Sequence, residues 1–116
     1  MANQPHPSRG EIWTLNLSPT VGHEQAGIRP CLIVSDDRFN RSPANLVIVI
    51  PITSKGKRIA FHVELAPPED GLTMASYIKC EDVRSVSTDR LLRLLGAVSP
   101  QTLAEVEFRL RALMNL

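Results

Sequence analysis

Aromatic side chains make up only 4% of this 116-residue chain, so Val, Ile and Leu must fill whatever core it has. Cysteine is scarce too. Cys31 and Cys80 stand far apart in apolar or strand-like surroundings, which predicts two reduced, buried thiols rather than a disulfide. No cysteine–histidine spacing suggests zinc. An excess of one charge is missing: 13 basic residues face 12 acidic ones, for a net charge of +1. That excludes a strongly cationic coat for nucleic acid but leaves room for a local basic site. The longest apolar run, Leu46 to Ile52, is too short to cross a bilayer. The opening MANQPHPSRG is polar and proline-bearing, unlike a secretory leader. A soluble, cytoplasmic protein with no membrane partner is expected.

The common catalytic signatures are absent as well: no P-loop, GxSxG, HExxH or GxGxxG occurs. Any catalysis is therefore expected to use ordinary side chains, with no cofactor and no bound metal. One chemistry of that kind is cleavage of RNA by its own 2′-hydroxyl. It needs a base for the 2′-OH, donors for the phosphorane oxygens and an acid for the departing 5′-oxygen, but no nucleophile from the protein.

What is present reads as short strands. The length fits a single domain over residues 1–116, with a loose arm over 1–8. Glu11 to Leu17 alternates and predicts a first strand, ended by Ser18-Pro19. A long polar loop carrying Gly22 and Gly27 follows, then a strand from Arg29 to Ser35. Residues 36–43 read as a turn with a short helical piece and Phe39 tucked inward. Leu46 to Ile52 is β-branched throughout, as in a strand buried on both faces. Further strands are expected at Phe61 to Leu65, Thr73 to Cys80 and Val83 to Ser87, and after a helical turn at Thr88 to Leu92. His62 should point outward. Ser99 as N-cap and Pro100 as first residue open a C-terminal helix. Leu103, Val106, Leu110, Leu113 and Met114 share one face, and Glu105–Arg109 and Glu107–Arg111 are i,i+4 pairs. Phe108 lies off that face, either as a solvent-exposed aromatic or as a contact for a partner chain. The pattern predicts a mainly β fold with a C-terminal helix, curved into a small barrel.

The chemistry-bearing residues gather at a few places. Arg29, just before Pro30, can hold a phosphate with two parallel bonds, or pair with Glu24. Thr53 ends the third strand, where its hydroxyl can face a groove or stabilise the turn, and Ser54 beside it can do the same. Glu24 can act as a base or lie solvated. His23 and Gln25 can bond to a ligand. Lys55, Lys57 and Arg58 are a basic loop tip that would flank Arg29 if the second and third strands pair. Tyr77 can stack on a base or be structural.

Arg9-Gly10-Glu11-Ile12-Trp13, GHEQAGIRP at 22–30, Pro51-Ile52-Thr53-Ser54 and Asp82-Val83-Arg84 with Arg90-Leu91 occur in that order. Together they resemble the MazF/PemK toxins of type II toxin–antitoxin systems, from about Arg9 to Leu113. The resemblance implies an SH3-like barrel of the PemK/CcdB toxin type that forms a homodimer. It implies a sequence-specific endoribonuclease that cuts single-stranded RNA and leaves 2′,3′-cyclic phosphate and 5′-OH ends. It makes Arg29 and Thr53 catalytic, gives Glu24 a role in catalysis or binding, and assigns 22–28 to base recognition and to blocking by a cognate antitoxin. The candidate RNA contacts are His23, Gln25, Ser54, Lys55, Lys57, Arg58 and Tyr77; Tyr77 stands where some relatives carry acidic or amide residues that touch RNA, a departure from the family pattern. Two alternatives remain on the same fold: a CcdB-like gyrase inhibitor that is not an enzyme, and an inactive RNA-binding module.

Overall fold

The computed structural model describes residues 6–19, 21–22, 27–56, 59–66 and 71–116. Their chain order is β1 (Glu11–Asn16), β2 (Ile28–Ile33), α1 (Asp37–Asn40), β3 (Leu46–Thr53), β4 (His62–Leu65), β5 (Ser76–Lys79), β6 (Arg84–Ser87), β7 (Leu91–Ala97) and α2 (Pro100–Met114). Single 3-10 turns join β5 to β6 and β6 to β7. The strands form one antiparallel sheet in the order β4-β5-β3-β2-β1-β7, with β6 on β3 as a branch. Strand β3 is the hub. Its first half pairs with β6, its middle with β2, and its end with β5. The predicted mainly β fold with a C-terminal helix is observed. The curved sheet does not close, however: among the described residues β4 and β7 remain its two ends.

Alternation along the strands sorts the core into two layers. Ile12, Leu32, Ile50, Ile52, Ile78, Val63 and Leu65 form one layer, against which α2 packs through Val106, Leu103, Leu110 and Leu113. Trp13, Leu15, Cys31, Ile33, Val47, Val49 and Val86 form the other. The expectation that β3 is buried on both faces therefore holds over Val49–Thr53. Each fully buried Leu or Ile contributes roughly 1.5–3 kcal/mol. Both cysteines are buried free thiols. Burial pushes Cys31 up to about 12 and Cys80 to about 11. Ser99 caps α2 by accepting the Thr102 N–H at 3.1 Å, and Asn115 ends the helix in the left-handed region.

Several expectations are corrected. Met114 is 51% exposed, because the apolar face of α2 runs off the sheet at the helix end. Glu107 turns to Arg9 instead of Arg111. Arg9 also donates to the Val34 carbonyl, and a link across 98 residues in sequence is invisible to i,i+4 spacing. The described end of the arm is docked: Pro7 is buried and its carbonyl accepts from Asn40 Nδ2 at 3.1 Å. Strand β5 starts at Ser76 rather than Thr73. The Ser76 hydroxyl bonds back to the Met74 carbonyl at 2.9 Å, a local bond that competes with the ladder. Just upstream, Gly71 has φ +76° and its Cα lies so near Leu95 that an added Cβ would sit 2.3 Å from the Leu95 carbonyl oxygen. No helix among the described residues is long and apolar enough to cross a membrane.

Candidate functional site

The register between β2 and β3 brings the two main candidates together. Cys31 faces Pro51. The ladder ends there, and just beyond its end Arg29 and Thr53 line one pocket. Pro30 restricts Arg29 to extended backbone. On the other side of β2, Arg29 faces Leu15 of β1, which is fully buried. The Cys31 thiol donates to the Arg29 carbonyl at 3.7 Å. Arg29 thus sits on backbone paired to β1, is half-buried as a residue, and already interacts within the chain.

Thr53 is 7% exposed. Its Oγ1 accepts the Lys55 N–H at 3.2 Å, so the turn-stabilising reading is real. That bond fixes the hydroxyl and leaves its proton to donate. Arg29, Thr53 and Ser54 line one pocket of about 220 Å³, whose far wall is Leu72, Thr73, Met74 and Ser76. An invariantly charged fork, a fixed hydroxyl and a second hydroxyl can hold a phosphate group and stabilise added charge on its oxygens. Neither cysteine can supply a nucleophile here, since burial holds both thiols protonated.

The remaining candidates divide. Lys55 is exposed just beyond Thr53. Tyr77 faces Thr53 across β3 and β5, and is half-buried. His23, Glu24 and Gln25, and also Lys57 and Arg58, lie outside the described residues. The root of their loop is described, and Arg90 staples it, donating to the Asn16 carbonyl at 2.9 Å and the Ser18 carbonyl at 2.6 Å. The Gly27 N–H donates to Ser18 Oγ at 3.0 Å, and the Leu17 N–H to the Gly27 carbonyl at 2.9 Å. Sequence reasoning missed Leu72, Thr73 and Met74 as a site wall, because it placed a strand from Thr73. It expected an outward, partly solvated His62; the residue does share the face of Glu64, away from the core-facing Val63 and Leu65, but its side chain is only 4% exposed and its Nε2 lies 2.8 Å from Glu81 Oε2. Period-2 alternation could not show that a 3-10 turn would cover that ring.

Residues 8–114 match the family described as the PemK-like, MazF-like toxin of type II toxin–antitoxin system. The chain belongs to this family. It is 37% identical over 113 residues to endoribonuclease MazF9 of Mycobacterium tuberculosis, covering 93% of this chain and 96% of that protein. It is 30% identical over 109 residues to endoribonuclease EndoA of Bacillus subtilis, covering 93% and 94%. The crystal structure of MazF from Deinococcus radiodurans superposes with a TM-score of 0.85 at 30% identity, over 97% of this chain and all of that one. A MazE–MazF structure from the same organism gives a TM-score of 0.78 at 31% identity, over 97% of this chain and 99% of that one.

Proposed function

We propose that this chain is the toxin of a type II toxin–antitoxin system and a metal-independent, sequence-specific endoribonuclease of the cytoplasm. The observation that carries the reading is the placement of Arg29 and Thr53 in one pocket, in a chain whose relatives are named endoribonucleases. In the proposed reaction a 2′-oxygen of single-stranded RNA forms the bond to phosphorus as the P–O5′ bond breaks. Glu24 takes the 2′-proton. Arg29 places two N–H groups on the non-bridging oxygens, which gain charge in the phosphorane, and Thr53 donates to the same phosphate. The 5′-oxygen leaves and takes up a proton, with Arg29 assisting. The products are a 2′,3′-cyclic phosphate and a 5′-OH. His23, Gln25, Ser54, Lys55, Lys57, Arg58 and Tyr77 are the proposed RNA contacts.

The proposed partners are a second copy of the chain and a cognate antitoxin. Leu92 and Leu94 are 54% and 47% exposed on β7, at one end of the sheet, and offer apolar surface that a second copy would cover. An antitoxin with an acidic, partly disordered tail would lie across the Arg29 pocket and the 55–58 basic loop. One solved relative is a mycobacterial endoribonuclease in complex with its cognate antitoxin.

The deciding experiment incubates purified protein with single-stranded RNA in the presence of a chelator and analyses the ends. Cleavage leaving 5′-hydroxyls and cyclic phosphates is expected from the wild type, and none from folded Arg29→Ala. Undiminished cleavage by that variant overturns the assignment. Inhibition of DNA supercoiling without RNA cleavage would instead identify a gyrase inhibitor.

A further inference from the structure

Helix α2 has a second face that the fold leaves in solvent. Of its 15 residues, Val106 is buried, and Leu103, Leu110 and Leu113 pack against the sheet. Gln101, Ala104, Glu105, Phe108, Arg111 and Ala112 are exposed. With 3.6 residues per turn, these six lie within roughly 60° of Phe108 and form one stripe. Phe108 stands at its centre and is 70% exposed. A lone exposed apolar residue is ordinary. What sets this one apart is the order of the residues around it.

The stripe is complementary to itself about Phe108. Three residues before the ring stands an acid, Glu105, and three after it a base, Arg111. Four residues before and after it stand Ala104 and Ala112. The flanking charges are engaged inside the chain: Glu107 meets Arg9, and Arg109 donates to the Ala60 carbonyl at 3.0 Å. Glu105 keeps a 3.5 Å contact with Arg109, and its side chain stays 56% exposed. The stripe thus presents one charge of each sign. An acidic peptide or an RNA backbone gains nothing from such a surface, whereas a second copy of it does. When two of these helices cross antiparallel on a two-fold axis at Phe108, each residue before the ring comes level with its counterpart after the partner's ring. The two rings meet at the crossing, and the small Ala104 and Ala112 leave them room to slip past each other. The tilt of about +20° common in helix pairs swings each Glu105 toward the partner's Arg111.

We propose that the outer face of α2 is a contact surface for a second copy of this chain, helix on helix, with Phe108 as the anchor and Glu105 and Arg111 as reciprocal ion pairs. The surface is distinct from the Leu92–Leu94 face of β7, and the inference does not depend on the endoribonuclease reading. Where β7 also joins two copies, the two faces together build a dimer of dimers. A pair of 15-residue helices is a small interface, so the association is weak, with a Kd on the order of 10–100 µM.

The test is sedimentation equilibrium of the purified protein from about 1 µM to about 1 mM, a range that brackets the expected Kd. The wild type should double in mass within that range, from monomer to dimer or, where β7 already pairs copies, from dimer to tetramer. Phe108→Glu should abolish the doubling, and Phe108→Ala should weaken it at least tenfold, as loss of a central aromatic anchor does. Glu105→Arg alone and Arg111→Glu alone should each weaken it about fivefold. Combined, they should restore it to within about twofold of wild type, because the reciprocal pairs re-form with their signs exchanged. The combined variant still lacks the Glu105 contact with Arg109, so the recovery reads the contact between copies and not the helix itself. Ala104→Arg, a good helix former at an exposed position, stands in if Phe108→Glu does not fold. A wild type that never doubles overturns the proposal, as does a doubling that survives Phe108→Glu or Ala104→Arg. A combined variant as weak as the single ones overturns it too. Weaker binding of the cognate antitoxin by Phe108→Glu, with no change in mass, would give this face to that partner and overturn the proposal.

Discussion

Replacing the Thr53 hydroxyl is expected to separate stability from catalysis. Thr53→Val keeps the branched shape in a site 7% exposed. It removes the acceptor for the Lys55 N–H at 3.2 Å. Lys55 is exposed, so its amide turns to water, and the loss is about 1 kcal/mol or less. Deleting one positioned donor to a charge that develops in the transition state costs about 3 kcal/mol, or roughly 100-fold in rate. Thr53→Ser does the reverse. It keeps the hydroxyl and loses a buried methyl, worth about 1 kcal/mol, and should cut RNA within a few-fold of wild type. The two variants should therefore unfold at similar denaturant midpoints and differ about 100-fold in initial cleavage rate. A Val variant within threefold of wild type, or a Ser variant as slow as Val, would show that Thr53 is only a turn-capping residue.

Further outcomes follow from the packing and charges. Val106→Ala opens a cavity at the one fully buried position of α2 and should cost about 2 kcal/mol in urea denaturation; a loss under 0.5 kcal/mol would mean the helix packs loosely. Cys31 has its folded pKa raised to about 12 from 9.0 by burial, so its contribution is complete below pH 9 and is lost as pH rises from 9 toward 12. Stability should fall over that window less steeply in Cys31→Ala, and an unchanged slope would contradict the burial. Glu107→Gln breaks a half-exposed pair with Arg9 and should cost no more than about 1 kcal/mol, with the difference shrinking in high salt. Arg90→Ala frees the carbonyls of Asn16 and Ser18; it should raise amide exchange near Gly27 more than in β3, and equal protection in both would refute the staple.

Much of this protein can be read from local pattern. Alternation marked the strands to within a few residues, because a half-buried strand must repeat with period 2. The N-cap at Ser99 and the face containing Leu103, Val106, Leu110 and Leu113 were legible because capping and helical spacing are local rules. The burial of both thiols followed from their apolar neighbours. The ordered motifs around Arg29 and Thr53 named the family before any contact was known.

Other features depended on distance in space. That Arg29 and Thr53 meet in one pocket is a matter of register, and a shift of one residue would have turned one of them to the other face. The Leu72–Met74 wall, the Arg90 staple and the Arg9–Glu107 link join segments that share no local period. His62 shows the difference most plainly. Its place on a strand was written in the alternation, but its contact with Glu81 arose only when the turn after β5 packed beside the ring. Local sequence sets the backbone's preferences through sterics and hydrophobic period; which side chains meet is decided by the packing of the whole sheet.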